Sequence, residues 1–238
     1  ALGAVLYFHG GGHVIGSLDT HDKVARNLCV GAAAVVVSVD YRMGPEHKFP
    51  AAVEDAWAAL LWLAENAESL GADPSKLAVS GDSAGGNLAG VVALMARDAG
   101  APKLVMQSLV YPVGDYHLVG DSYMKYANGF GVLTNKSMVW FRDHYLKASS
   151  DAEDWRASPL LAEDFSGVAP ALITAAECDV LRSDGVRYHE ALQAAGVESE
   201  YVLYPGVIHG FFSMAPDVDL AVEAQQHVAK TLKKAFGG

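Results

Sequence analysis

One turn restricts the possible folds of this chain more than any other feature. Residues 81–86 read Gly-Asp-Ser-Ala-Gly-Gly, directly after an apolar, strand-like run and directly before a helix-like run. A serine on a sharp strand-to-helix turn has the context of a nucleophile elbow, in which a base can reach the hydroxyl group. Gly81 and Gly85 lack a Cβ, as close approach of backbone to backbone requires. The turn predicts an α/β fold with Ser83 as a nucleophile, and an ordinary glycine-rich turn is the alternative.

A second glycine cluster lies near the start of the chain. Residues 9–12 read His-Gly-Gly-Gly and follow the strand-like residues 4–8. Stabilising a negatively charged transition state requires N–H donors that point into the space beside the nucleophile, and glycine backbone approaches closest. Alone, the cluster fits a flexible loop. Together with the elbow it predicts a loop that binds an oxyanion.

The elbow requires an acidic residue and then a histidine later in the chain. Two strand-like stretches end in such residues, the first near Asp179 and the second near His209, which lies in a glycine-containing loop. Active sites of open α/β sheets gather at the carboxyl ends of the strands. We therefore predict that His209 takes the proton from Ser83. Asp179 is expected to hold the tautomer of His209 and to stabilise its cationic form.

Other residues compete for these roles. Glu177 lies closer to the strand and is expected only to support the site, and Asp184 is expected to cap a helix over residues 184–195. His9 is expected to order the glycine loop rather than to act as a base. Three further histidines fall in helix-like segments and are expected to be surface or packing residues: His144, His189 and His227.

The remaining chain alternates between strand-like and helix-like stretches, as α/β proteins do. Strands are predicted over residues 4–8, 34–40, 76–80, 103–110, 170–176 and 199–204. Helices are predicted over residues 51–68, 85–98, 184–195 and 217–235. In the first helix, Trp57 and Trp62 are expected to be core or interface residues. The pattern predicts one domain over residues 1–238, with a mostly parallel sheet flanked by helices.

Residues 111–169 interrupt this alternation, because they separate two strands by more than a crossover helix needs. A helix is predicted within the segment over residues 137–146. Inserted segments at the carboxyl end of a sheet often form lids or pocket walls, and we expect this one to form part of such a wall. Packing onto the domain explains most of its aromatic residues individually, whereas as a group they are expected to contribute to a pocket: Tyr116, Tyr123, Tyr126, Phe130, Trp140, Phe141 and Tyr145.

Composition and net charge argue against some classes of binding partner. The chain has 238 residues, 51% of them hydrophobic, and a formal net charge of −11. This charge argues against nucleic acid and anionic membrane surfaces, whose phosphates would repel the chain. No apolar run approaches the roughly 20 residues of a membrane span. Cys29 and Cys178 are expected to be buried free thiols in a reducing compartment, which predicts a cytoplasmic protein. No metal or cofactor motif is present.

Four motifs in order resemble the bacterial hormone-sensitive-lipase-like esterases: residues 8–12, 40–52, 81–89 and 209–211. The resemblance runs nearly end to end and implies an α/β-hydrolase fold. It also implies carboxylesterase activity on short to medium acyl chains, with no cofactor. By position it makes Ser83 the nucleophile, Asp179 the acid and His209 the base, and it assigns the oxyanion-hole N–H groups to Gly10, Gly11 and Ala84. Asp179-Val180-Leu181 departs from the usual Asp-Pro-Leu.

The largest departure from that family is at the start, because its members carry a sizeable region before the glycine cluster that supplies cap helices and the first strands. The resemblance therefore predicts an apparently missing cap, an open site and broad, weak selectivity for small esters. It also predicts that residues 34–39 form an apolar sheet edge, and such edges pair with other chains. A homo-oligomer or poor solubility is the expected consequence.

Three other functions remain open from the sequence. The same three residues could support amidase or peptidase chemistry, a truncated core could be weakly active or inactive, and a binding protein could use the fold without turnover. Proteins of the last kind lose a residue of the catalytic set, whereas Ser83, Asp179 and His209 are all present. We predict a serine esterase that acts on a small-molecule ester.

Overall fold

A computed structural model describes residues 1–238 of the chain. Six strands form one sheet: β1 (Leu2–Phe8), β2 (Val35–Val39), β3 (Ala72–Asp82), β4 (Leu104–Val110), β5 (Ala171–Cys178) and β6 (Ser199–Ile208). Their order across the sheet is β2-β1-β3-β4-β5-β6, and every neighbouring pair is parallel. The predicted parallel sheet is confirmed.

Seven α-helices connect and cover these strands: α1 (Leu18–Ala32), α2 (Ala51–Asn66), α3 (Ala84–Ala99), α4 (Asp121–Lys125), α5 (Asn135–Tyr145), α6 (Arg182–Ala194) and α7 (Asp219–Ala235). None of the helices is both long and apolar enough to cross a membrane. The chain also contains five short 3-10 turns: Glu68–Leu70, Gly129–Gly131, Ser149–Glu153, Pro159–Leu161 and Phe211–Met214.

Both faces of the sheet are covered, which explains why β1 is a continuous apolar run rather than an alternating one. Along β1, Leu6 and Phe8 belong to one hydrophobic cluster and Val5 and Tyr7 to the other. The first cluster packs one face of the sheet against α2, α3 and α6, and the second packs the other face against α1 and α7. Ser83, Asp179 and His209 lie at the carboxyl ends of strands in this doubly covered layer.

Besides the short α4, one long helix, α1, was not predicted from the sequence. Its apolar side is narrow, since only Val24, Leu28 and Ala32 are buried. The signals that could have found it are the four-residue spacing of these side chains and the capping box at its start. There the Ser17 hydroxyl accepts the N–H of Thr20, and the Thr20 hydroxyl accepts the N–H of Ser17.

The segment over residues 111–169 leaves β4 and returns to β5, and it contains α4, α5 and three of the 3-10 turns. Asn87 of α3 fixes the segment to the main body at two points. The Asn87 amide donates to the carbonyl oxygens of Val113 (2.9 Å) and Ala157 (2.8 Å). The two attachment points hold the segment over the carboxyl end of the sheet.

Two expectations about burial need correction. Cys29 and Cys178 are free, as predicted, but both are half-buried rather than buried. Cys29 lies on α1, of which only three residues are buried, and Cys178 is the last residue of β5, where burial of that strand decreases. Trp57 is half-buried and packs against the larger hydrophobic cluster, whereas Trp62 is 48% exposed, because it lies on the solvent side of α2.

Candidate active site

The turn at residues 81–86 has the geometry of a nucleophile elbow. Ser83 lies between β3 and α3 with φ 57° and ψ −117°, a conformation that costs L-residues energy and is found at functional sites. Its N–H donates to the carbonyl oxygen of Val110 (2.8 Å). A Cβ on Gly85 would collide with the Phe8 carbonyl oxygen, and one on Gly81 would collide with the backbone of Gly85. Glycine is required at both positions for the turn to form.

The structure brings the predicted nucleophile, base and acid into one hydrogen-bonded chain. His209 Nε2 lies 3.0 Å from Ser83 Oγ, and His209 Nδ1 lies 2.7 Å from Asp179 Oδ2. All three side chains are buried. The ring of Tyr111 packs against that of His209, with 4.5 Å between the ring centroids. The imidazole is thus held between an acceptor and a hydroxyl group, as general-base catalysis requires.

The carboxyl ends of β5 and β6 position the acid and the histidine. Asp179 directly follows β5, and its Oδ1 accepts the N–H of Leu181 (3.0 Å), which leaves Oδ2 directed at His209. Glu177 instead accepts the N–H of Gly206 through Oε2 (2.8 Å). Glu177 therefore ties β5 to β6 and does not contact the imidazole.

Asp184 is not a helix cap. Since α6 begins at Arg182 with Leu181 as its cap, Asp184 falls inside the first turn. Its fully buried Oδ2 accepts the N–H of Gly114 and the hydroxyl of Tyr123, each at 3.0 Å. Burial raises its pKa to about 7. The side chain joins α6 to the segment over residues 111–169, a contact across the chain that local sequence does not reveal.

The glycine loop requires a correction to the predicted oxyanion-hole donors. The N–H of Gly10 donates to Asp82 Oδ1 (3.0 Å), so it is already engaged. The N–H groups of Gly11 and Gly12 make no hydrogen bond within the chain. Ala84 is the first residue of α3, a position whose N–H has no partner within a helix. Free donors beside Ser83 therefore come from Gly11, Gly12 and Ala84.

His9 and Tyr41 hold the start of this loop. His9 is fully buried, and its Nδ1 lies 2.7 Å from the carbonyl oxygen of Gly10. The Tyr41 hydroxyl donates to the carbonyl oxygen of His9 (2.7 Å), and the two rings stack at 4.4 Å between centroids. Burial lowers the pKa of His9, which favours the neutral ring. These contacts suit an ordering role for His9.

A cavity of about 220 Å³ opens beside the nucleophile. Side chains of the segment over residues 111–169 supply much of its apolar lining: Val113, Tyr116, Val132, Leu133, Met138 and Phe141. Ser83, His209 and the glycine loop supply the polar side. Of the seven aromatic residues expected at a pocket, only Tyr116 and Phe141 line this cavity. No group of three or more histidine, cysteine, aspartate or glutamate side chains is placed to hold a metal ion.

Comparison with known proteins places this geometry in a family. Residues 5–213 match the family described as having the alpha/beta hydrolase fold. The chain belongs to this family. Within it, the chain resembles hormone-sensitive-lipase-like esterases, as its four motifs predict.

Individual members of the α/β-hydrolase family are similar over nearly the whole chain. Carboxylesterase NlhH of Mycobacterium tuberculosis is 46% identical over 99% of this chain and 74% of its own length. Ethyl acetate hydrolase of Pseudomonas putida is 42% identical over 97% of this chain and 73% of its own length. The solved esterase of Pyrobaculum calidifontis is 47% identical, with a TM-score of 0.94 over 98% of this chain and 77% of that one.

Sequence reasoning missed two residues beside the nucleophile. Asp82 and His21 both line the cavity, and their side chains approach within 3.4 Å of each other. His21 lies in the first turn of α1, a helix that was not predicted. The position of His21 in the site depends on where α1 packs, which local sequence does not show. The one local signal for Asp82 was its place in the elbow, directly before Ser83.

Proposed function

We propose that this chain hydrolyses esters of short to medium acyl chains through an acyl-enzyme intermediate on Ser83. Its relatives are carboxylesterases, and the chain is a carboxylic ester hydrolase. The observation that carries the mechanism is the continuous contact from Ser83 Oγ through His209 to Asp179, at 3.0 Å and 2.7 Å.

In the first half-reaction, His209 Nε2 accepts the proton of Ser83 while Oγ attacks the ester carbonyl carbon. Asp179 accepts a hydrogen bond from Nδ1 and stabilises the imidazolium that forms. Collapse of the tetrahedral intermediate breaks the bond to the alkoxy oxygen. The imidazolium returns its proton to that oxygen, and the alcohol leaves.

In the second half-reaction, water takes the place of the alcohol. His209 removes a proton from the water, the hydroxide attacks the acyl carbon, and Ser83 leaves with that proton restored. The same three side chains therefore serve both halves. The carboxylic acid is the second product.

The negative charge on the carbonyl oxygen is stabilised by the free N–H groups of Gly11, Gly12 and Ala84. Donors fixed in place before the reaction need no reorganisation, and the loss of one costs about 3–4 kcal/mol of transition-state stabilisation. The N–H of Gly10 is excluded from this role because it is bound to Asp82. Gly10 instead anchors the loop.

The size and lining of the cavity support a small acyl group. About 220 Å³ lies below the usual range for drug-sized ligands, and the lining is mainly apolar apart from the reacting groups. We propose that the segment over residues 111–169 forms the pocket wall within a single domain. Location in the cytoplasm stays a prediction based on the two free cysteines.

Amide hydrolysis on the same side chains is the competing function. The test is the rate of p-nitrophenyl butyrate hydrolysis beside that of butyryl p-nitroanilide, with an alkyl phosphonate as a covalent probe. We expect ester turnover to exceed amide turnover by orders of magnitude, and a single phosphonate adduct on Ser83 by mass spectrometry. Comparable rates on both substrates, or an adduct elsewhere, would contradict the proposal.

A further inference from the structure

A second carboxylate–imidazole pair lies beside the nucleophile. His21 Nε2 is 3.4 Å from Asp82 Oδ2, and both side chains are largely buried, with 13% and 6% of their surfaces exposed. Asp82 immediately precedes Ser83, whereas His21 lies in the first turn of α1. Nothing in the acyl-enzyme mechanism uses this pair directly.

Asp82 connects the elbow to the glycine loop over residues 9–12, called the oxyanion loop below. Its Oδ1 accepts the hydroxyl of Tyr7 (2.6 Å) and the N–H of Gly10 (3.0 Å), while Oδ2 faces His21. Gly10 adjoins Gly11 and Gly12, whose N–H groups are free. Asp82 is therefore the contact through which the elbow reaches the loop whose N–H groups are free.

The polar contacts around His21 favour a proton on both ring nitrogens. The Thr20 hydroxyl donates its one proton to the carbonyl oxygen of Ser17 (2.9 Å). Thr20 Oγ1 also lies 2.9 Å from His21 Nδ1, so towards that nitrogen the oxygen can only accept. Nε2 faces a carboxylate, which also only accepts. Both nitrogens are then donors, which describes an imidazolium cation.

The surrounding charges agree with this state. Burial lowers the pKa of His21, but the hydrogen bond and negative charge of Asp82 outweigh burial and raise it above its usual value. Burial likewise raises the pKa of Asp82, but hydrogen bonds from His21 and Tyr7 hold it below its usual value. Both directions favour an ion pair.

Other titratable groups face the pair from neighbouring elements. His9 lies 5.5 Å from His21 between ring centroids, and burial lowers its pKa, so its ring stays neutral. Burial and the Asp82 charge raise the pKa values of Tyr7 and Tyr41 well above the usual value, so both keep their protons. When His209 carries the proton of Ser83, its charge also lowers the pKa of Asp82.

We propose that His21, as an imidazolium, is a positioning residue of the esterase: it holds Asp82 ionised and aligned, and Asp82 in turn holds the oxyanion loop through Gly10. This inference rests on the proposed esterase function. Since the loop contacts the reacting oxygen most strongly in the transition state, a defect lowers kcat and leaves KM nearly unchanged. The wild-type kcat should also fall on the alkaline side as His21 loses its proton.

Two variants separate charge from shape. His21→Gln keeps a neutral donor towards Asp82, and His21→Lys keeps a positive charge. With p-nitrophenyl butyrate, we expect His21→Gln to lower kcat about tenfold, because the oxyanion donors remain in the loop but lose part of their alignment. Its KM should change less than twofold, and its alkaline decline should be absent. His21→Lys should recover kcat and move the alkaline decline to higher pH.

The control is His189→Gln, because His189 lies on α6, contacts Ser199 and does not line the cavity. This variant should match the wild type. A His21→Gln enzyme with wild-type kcat and pH profile would overturn the proposal, as would equal losses in His21→Gln and His21→Lys. If neither variant folds, a wild-type kcat that stays flat through pH 9 also overturns it. A wild type without ester turnover would instead overturn the proposed function.

Discussion

At the scale of single residues, the buried carboxyl of Asp184 carries a pH dependence that has nothing to do with the reacting groups. Its pKa in the folded chain is raised by burial to about 7, from an ordinary value of 3.8. Between these values the folded chain keeps a proton that the unfolded chain has released. The stabilising contribution of this proton is present at low pH and is lost as the pH rises towards 7.

Asp184→Asn removes this titration while keeping an acceptor for Gly114 and Tyr123. The free energy of unfolding of the variant minus that of the wild type should increase by about 2–3 kcal/mol from pH 5 to pH 8. Urea unfolding of both proteins at the two pH values measures the change. The exposed Asp217→Asn is the control and should show no such difference. A difference in the free energy of unfolding between the wild type and Asp184→Asn that is the same at both pH values would contradict the raised pKa of Asp184.

The same scale shows what the sequence could not predict at the site. The order of Ser83, Asp179 and His209 was readable because each follows a strand-like run. Which of the three loop glycines supply the oxyanion-hole donors was not readable, because it depends on a contact between Gly10 and Asp82, which are 72 positions apart. The role of Asp184 likewise depends on Gly114, 70 positions away. Contacts of this kind become visible only when the strands are placed.

At the scale of elements, periodicity predicted the buried strands and the broad helices well. It failed for α1, in which only three of fifteen residues are buried, and whose cap uses threonine where glutamate or glutamine is usual. It also placed the start of β3 and the end of β6 too far inward, since β3 begins at Ala72 and β6 ends at Ile208. Both extensions contain a proline, Pro74 and Pro205, and sequence rules disfavour proline within strands.

The position of α5 leads to a prediction about specificity. Phe141 of α5 lines the cavity and packs against Gly12, since a Cβ on that glycine would collide with its ring. Phe141→Ala should enlarge the cavity and raise the ratio of kcat/KM for p-nitrophenyl hexanoate over acetate by roughly tenfold. Steady-state kinetics on the two esters measure the ratio.

Phe130→Ala is the matched control for this experiment. Phe130 belongs to the same inserted segment, but it is 68% exposed and does not line the cavity. Its ratio should equal that of the wild type. An unchanged ratio in Phe141→Ala would show that α5 does not limit the acyl group.

At the scale of the whole molecule, β2 forms one edge of the sheet. All five of its residues are half-buried and uncharged, whereas the opposite edge strand, β6, carries Glu200. Uncharged edges pair with other chains, and a lysine on the edge prevents it. Self-association of the 238-residue chain through β2 therefore stays a prediction.

Ser38→Lys places a charge in the middle of β2. Light scattering of the wild type should show an apparent mass that increases with concentration, and Ser38→Lys should remain monomeric. Ser69→Lys adds the same charge at an exposed position outside the sheet and should behave like the wild type. A wild type that stays monomeric at high concentration would refute association through this edge.

The central claim is that Ser83, activated by His209, carries the acyl group. The most direct test is kcat/KM for p-nitrophenyl butyrate in the wild type, in Ser83→Ala and in Ser80→Ala. Ser80 is a matched control, because it is a fully buried serine of β3 whose hydroxyl has no partner. We predict a loss of at least about 10⁴-fold in Ser83→Ala and near wild-type activity in Ser80→Ala. Retained turnover in a folded Ser83→Ala would contradict the account.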